Sequence, residues 1–412
     1  MSRLNFNMNH RFFTFLLAMC AAFLVLFIII FPEEAFQSSL QGLNIWWKIV
    51  FPSLLPFFIL SEILIAYGVI RMFGVWLEPL MRFLFKVPGI GGWALAMGWT
   101  VGYPSSAQIT SNIRQQNLIT RDEGEKILAI SHSSSPIFII NVIAIGFFHH
   151  MQLGLFITII HFISLLILGF VLRLYYGDTS NRPLTQNNHF IVRSVRAMIQ
   201  AHQQDGRTFG KLLGDAVISS TQNLLMIGGT MMLFAVIIKM VTLTNLLSLI
   251  NKLLTQFFNI MNLSENTLAS ITTGWFEINL GAYQISTLQS IPFIWQIAFI
   301  CSLLAWSGFS VHLQVKSLIQ NTDLRYRSFL VSRMLQALFS FVLTFLLWKP
   351  YQILFSDVQP SFVNTTPKYV EAPNTVWSIW ENTFIFILIL LCTMLILSIF
   401  IAIFRAIFHK FV

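Results

Sequence analysis

The chain has 412 residues, of which 56% are hydrophobic and only 10% charged, with 41 phenylalanines. That balance excludes an ordinary water-soluble domain and points to an all-α polytopic membrane protein. The formal charge of +9 does not indicate nucleic acid, because the basic residues lie in short gaps between apolar runs rather than in an aromatic-interleaved patch.

In chain order, the first apolar run is Phe12 to Phe31, behind Arg3 and Arg11, long enough to cross a ~30 Å hydrocarbon core and so expected to be a retained helix. Glu33 and Glu34 then lie outside. Pro52 to Ile70 crosses inward, with Arg71, Arg82 and Lys86 marking arrival. Ile127 to Phe148 crosses outward, His149 and His150 form the turn, and Leu153 to Leu172 returns. Gly177 to Gly214 carries Arg182, Arg193, Arg196, Arg207 and Lys211, the signature of a cytoplasmic loop. Asp215 to Ile238, Ile291 to Lys316 and Phe329 to Trp348 follow, then an external loop from Tyr351 to Thr375 and a last span from Val376 to Phe404. Cys20, Cys301 and Cys392 sit in apolar sequence without zinc-ligand or disulfide spacing.

Two interrupted segments separate these spans. Gly89 to Ser106 is broken by Gly102 and Pro104, and Leu268 to Ser286 contains Gly274 and Gly281. Both read as re-entrant hairpins, because bare backbone at membrane depth survives only against protein or a water-filled cavity. The spans that follow are interrupted too, at Ser131 to Pro136 and Ser307 to His312. Gly98-Trp99, Gln108, Ser131 and Ser134 recur as Gly274-Trp275, Gln284, Ser307 and Ser310, each 176 positions on. With three crossings in each repeat, the second is expected to lie inverted, an arrangement that places a transport site between the halves.

The organisation expected is an N-terminal helix and turn at 1–45, a first repeat at 46–176, a basic linker at 177–214, an inverted second repeat at 215–349, an external loop at 350–375 and a last helix at 376–412. Candidate solute-binding residues are Gly102, Tyr103, Ser105, Ser106, Gln108, Ser133, Ser134, Ser135, Asn279, Gln284, Ser307 and Ser310, which offer backbone groups, hydroxyls and amides beside half-helix ends. Taken singly, each serine or glycine is more often a helix-packing residue. Glu277 and Glu62 are the coupling candidates, because an intramembrane carboxylate is costly and usually functional. His132, His161 and His312 are candidates either for proton relay or for bonding to helix carbonyls. Trp99 and Trp275 stand beside the hairpin breaks. Lys239 is expected to snorkel at a helix end. No arginine is expected in the core. P-loop, metalloprotease and nucleophile-elbow motifs do not occur, so no enzyme, cofactor or metal is expected.

The runs Trp46-Trp47, Phe51-Pro52-Ser53-Leu54-Leu55-Pro56-Phe57-Phe58, Leu77-Glu78-Pro79-Leu80-Met81, Val87-Pro88-Gly89, Gly102-Tyr103-Pro104, Ser134-Ser135-Pro136-Ile137-Phe138 and Gly146-Phe147-Phe148-His149 closely resemble the YlbJ-type sporulation integral membrane proteins. These belong to the wider nucleoside-recognition or Gate-domain family, and the resemblance spans about Phe31 to Trp348. It implies a core similar to that of concentrative nucleoside transporters. It further implies transport of dipicolinic acid from the mother cell across the outer forespore membrane. The expected partners are that small anionic solute, packed on Tyr103, Trp99 or Trp275, and membrane lipid, without nucleic acid; a homo-oligomer stays open. An ion-coupled nucleoside carrier and a non-transporting forespore scaffold docking through Gly177 to Gly214 are the alternatives.

Overall fold

A computed structural model describes residues 8–176, 190–244 and 263–354. Among the described residues every regular element is helical, and five helices are long and apolar enough to cross a membrane. The last span expected at Val376 to Phe404 lies outside the described residues.

The first half starts with α1 (Met8–Ile30) and α2 (Pro32–Ala66), the latter passing through a π turn at Trp46–Val50. Sequence reading places an external turn at Glu33 and Glu34 and starts the crossing at Pro52, but the helix is continuous from Pro32. Pro32 at the first helical turn needs no N–H, and Glu33 and Glu34 favour a helix start. The boundary expected between residues 45 and 46 therefore falls inside one helix.

Next come α3 (Val69–Leu80), α4 (Gly91–Thr100) and α5 (Ser105–Gln115). α6 (Arg121–Ser131) begins in a capping box, with Glu123 N donating to Thr120 Oγ1 at 3.3 Å and Thr120 N to Glu123 Oε2 at 2.8 Å. A π segment, α7 (Phe138–Phe147), and α8 (Met151–Tyr176) complete this half.

The basic linker contains α9 (Phe190–Asp205), which packs on α3. Arg193 pairs with Glu78, and the Met198 carbonyl and Ala201 methyl approach Gly68 so closely that a Cβ there would meet both. α10 (Phe209–Leu243) follows, then α11 (Glu265–Phe276), α12 (Ile278–Ser286), α13 (Phe293–Trp306), α14 (Gly308–Ile319) and α15 (Tyr326–Leu354). Tyr351 to Leu354, expected in an external loop, are the end of α15.

Helix order recurs between the halves. Moving the first-half bounds on by 176 positions puts α4 at 267–276, α5 at 281–291 and α8 at 327–352, close to α11, α12 and α15. The long helices α2 and α10 pack on each other. Trp46 Nε1 donates to the Leu224 carbonyl at 2.9 Å, and its ring fills the space a side chain at Gly228 would need. Burial of Val50, Leu54, Leu224 and Met231 with Ile297, Ile300 and Leu304 builds the largest apolar core. Around it the cavity-lining breaks are held.

Candidate functional site

Three helix breaks line one cavity of about 380 Å³, and Ser310, Val311 and Gln314 of the helix that follows a fourth break complete its wall. α4 and α5 are separated by Val101 to Pro104, α6 and the helical stretch that leads into α7 by His132 to Ser135, α11 and α12 by Glu277, and α13 and α14 by Ser307. Gly102 and Ser307 turn the chain with φ of 92° and 77°. Ser307 is a non-glycine in the left-handed region, a conformation retained where the surroundings hold it.

Close approach brings the breaks together. A Cβ on Gly98 would lie 1.6 Å from the Ser131 carbonyl oxygen, so glycine lets α4 touch the end of α6. A Cβ on Gly281 would lie 2.1 Å from Gly274 Cα, which closes α12 onto α11.

Of the residues expected to bind solute, Gly102, Tyr103, Ser105, Gln108, Ser134, Ser135, Asn279 and Ser310 line the cavity, as does Glu277. Ser106 is buried beneath Gly98, and Ser133 and Ser307 are engaged by histidines. Gln284 lines a separate pocket near Lys239. Glu62 accepts from Ser219 Oγ at 3.3 Å between α2 and α10 and does not line the cavity. Neither Trp99 nor Trp275 lines it; Trp99 packs edge-on against Phe162, 4.9 Å between ring centres. Tyr103 does, with its ring stacked on His132 at 5.1 Å.

Asn223 and Thr230 on α10 and Gln314 on α14 also line the cavity and were missed. Their signal was available: polar side chains inside otherwise apolar helices, spaced so that Asn223 and Thr230 share one face of α10 two turns apart.

The histidines bind the breaks. Ser134 N donates to His161 Nε2 at 3.2 Å, so that nitrogen is an acceptor, and Ser133 Oγ lies 3.2 Å from it. His312 Nε2 is 2.9 Å from the Trp306 carbonyl oxygen and Nδ1 is 2.9 Å from Tyr326 Oη, so Nε2 donates and Nδ1 accepts. His132 Nε2 is 3.1 Å from Ser307 Oγ, joining one break in each half.

An arginine does lie in the core, against expectation. Arg333 on α15 is fully buried, with Nη1 donating to the His132 carbonyl at 2.8 Å and Nη2 donating to the Ala129 carbonyl. The C-terminal carbonyls of α6, which the break leaves without intrahelical donors, thus receive a guanidinium at the negative end of the helix dipole. Arg333 lies inside the Phe329 to Trp348 span, so the sequence carried the clue.

Glu277 caps α12. Its carboxylate accepts from Leu280 N at 2.8 Å and from Asn279 Nδ2 at 2.9 Å, satisfying the amino terminus that an incoming anion would otherwise use. By contrast, α5 and α14 begin without a side-chain cap. Among the described residues, no lysine, arginine or histidine lines the cavity. Its polar lining consists of hydroxyls, amides and the Glu277 carboxyl set among apolar side chains.

Comparison with known proteins adds three findings. Residues 47–168 match the Gate family, described as nucleoside recognition. The chain is 38% identical over 371 residues to the sporulation integral membrane protein YlbJ of Bacillus subtilis (strain 168), covering 85% of this chain and 90% of that relative. No solved structure matches the chain.

Proposed function

The chain belongs to the YlbJ family of sporulation integral membrane proteins, and on that premise we propose that it moves dipicolinic acid from the mother cell across the outer forespore membrane. The convergence of three helix breaks on one cavity carries this reading, since breaks at membrane depth need a cavity and a transporter needs a solute site there. The cavity volume of about 380 Å³ falls within the ~300–1,000 Å³ of small-molecule sites. Because the lining lacks a cation, the solute crosses this point with its charge offset, by protons on its carboxyls or by the open ends of α5 and α14. The two repeats lie inverted in this reading, and Glu277, the carboxylate in the cavity wall, couples movement to a proton.

A second reading is favoured by the same lining. An uncharged polar solute such as a nucleoside needs no cation, and the Gate family is described by nucleoside recognition.

The test uses the full chain in proteoliposomes loaded with dipicolinate, with release followed after dilution. Release faster than from protein-free vesicles, and competed by excess dipicolinate but not by uridine, is expected. Inhibition by uridine with no dipicolinate flux would replace the first reading with the second.

A further inference from the structure

A second cavity, of about 200 Å³, lies beyond the central one along the same three walls. On α2 the central cavity begins at Val50 and the second ends at Ile45; on α10 the corresponding residues are Thr230 and Ala235. Five residues of helix is about 7.5 Å. On the third wall the two cavities meet at neighbouring residues, Asn279 and Leu280, in the first turn of α12. A partition about one and a half helical turns thick therefore separates them, made of Ile45, Trp46, Met231 and Leu280, which pack into the apolar core.

The two chambers differ in charge. Glu277 is the charged group of the central wall, whereas Lys239 is the charged group of the second. Lys239 is half-buried and, among the described residues, forms no hydrogen bond or ion pair. Around it stand Gln41, Thr273 and Gln284, neutral groups that can donate to an oxygen anion, and Thr242, whose hydroxyl donates to the Ile238 carbonyl at 2.8 Å. A lysine that merely snorkelled from a helix end would face lipid headgroups; this one faces a polar chamber against the second hairpin.

We infer that the chamber around Lys239 is a binding site for a small carboxylate, the station on the outer side of the α12 partition that receives the solute leaving the central cavity. The inference rests on the transport reading for the direction of movement, and not for the binding itself. A solute that passes the cation-free central cavity with its charge offset meets at Lys239 the first countercharge that can hold its ionised carboxylate. Movement of the first turn of α12 is then the step that joins the chambers, because that turn contributes to both walls.

The probe is dipicolinate itself, applied to the outer face. In a chain whose Cys20, Cys301 and Cys392 are replaced by alanine, Thr242→Cys is labelled with a membrane-impermeant maleimide in proteoliposomes. Dipicolinate is expected to slow labelling about fivefold or more, Lys239→Arg to keep that protection and Lys239→Met to lose it, as befits removal of a charged donor. The uncharged isostere pyridine-2,6-dimethanol is expected to give none. Equal labelling with and without dipicolinate, or equal protection by the dimethanol, overturns the site. Protection without dipicolinate flux sustains the site and defeats the transport reading; flux without protection does the reverse. Lys48→Met, at an exposed lysine outside the chamber, serves as the control and is expected to leave protection unchanged.

Discussion

Arg333 joins α15 to the broken end of α6 across some 200 positions of sequence. Hydrogen bonds from a charged donor are worth about 1.5–3 kcal/mol each, and leaving the acceptors unmade adds their desolvation. Arg333→Met, which keeps bulk, is therefore expected to lower unfolding stability in detergent by about 2–4 kcal/mol; an unchanged melting temperature would mean that water satisfies those carbonyls. Glu277 invites a finer test, because its two roles separate. Glu277→Gln retains an acceptor for Leu280 N, so the cap and solute binding are expected to persist while accumulation driven by a pH gradient is lost. If accumulation follows the gradient as before, Glu277 is a cap and no more. The glycines of the two hairpins differ in role. Gly281 packs on Gly274, so Gly281→Leu is expected to prevent accumulation of folded protein, whereas Gly102 lines the cavity and Gly102→Ala should reach the membrane and fail in transport.

At the scale of elements, the end of the first hairpin and the start of α6 are tied to the α14–α15 turn by an ionic clasp. Arg114 Nε and Nη2 donate to the two Asp323 oxygens at 2.8 and 2.9 Å, and Arg325 Nε donates to Glu125 Oε1 at 2.7 Å while Tyr176 Oη donates to Glu125 Oε2 at 2.7 Å. The hydrogen bonds from Arg114 hold the Asp323 carboxyl below its ordinary range. A depressed folded value contributes stability above the unfolded value of about 3.9, and that contribution disappears as pH falls through the folded value. Asp323 is half exposed, so the energy is small and screened by salt. The expected consequence is kinetic: Arg114→Asp should expose cysteines placed at Gln314 to maleimide from the basic-linker side, and the swap Arg114→Asp with Asp323→Arg should restore protection. No change in either variant would reduce the clasp to surface decoration. Elsewhere, α9 turns what reads as a basic loop into a helix docked on α3. Its Arg193 and Ala201 are already engaged, which leaves less of that segment for a partner.

For the whole molecule, the positive-inside distribution and the repeat together predict where each loop faces. Cysteines at Arg196 and Lys211 are expected to resist an impermeant reagent in intact cells, and one at His150 to react. Reaction at all three positions would contradict the inverted arrangement and with it the alternating path through α12. The membrane class and the breaks at Gly102–Pro104 and after Ser131 were legible in the chain itself, whereas the second hairpin turns at Glu277, and Gly274 and Gly281, expected to interrupt it, lie within α11 and α12. Hydropathy marked the apolar stretches, and Gly102 at φ 92° with Pro104 beside it gave the first break a local cause, although Pro56, Pro79 and Pro350 lie inside helices. Which side chains meet at those breaks was decided only in three dimensions. Local periodicity says nothing about which helix stands opposite, so Arg333 at α6, His161 at the Ser133–Ser134 break and Asn223 in the cavity wall had to wait for the packing. The same limit separated Gln108 from Gln284: one repeat position, but the first lines the central cavity and the second the chamber of Lys239, a difference set by which helices stand opposite each hairpin.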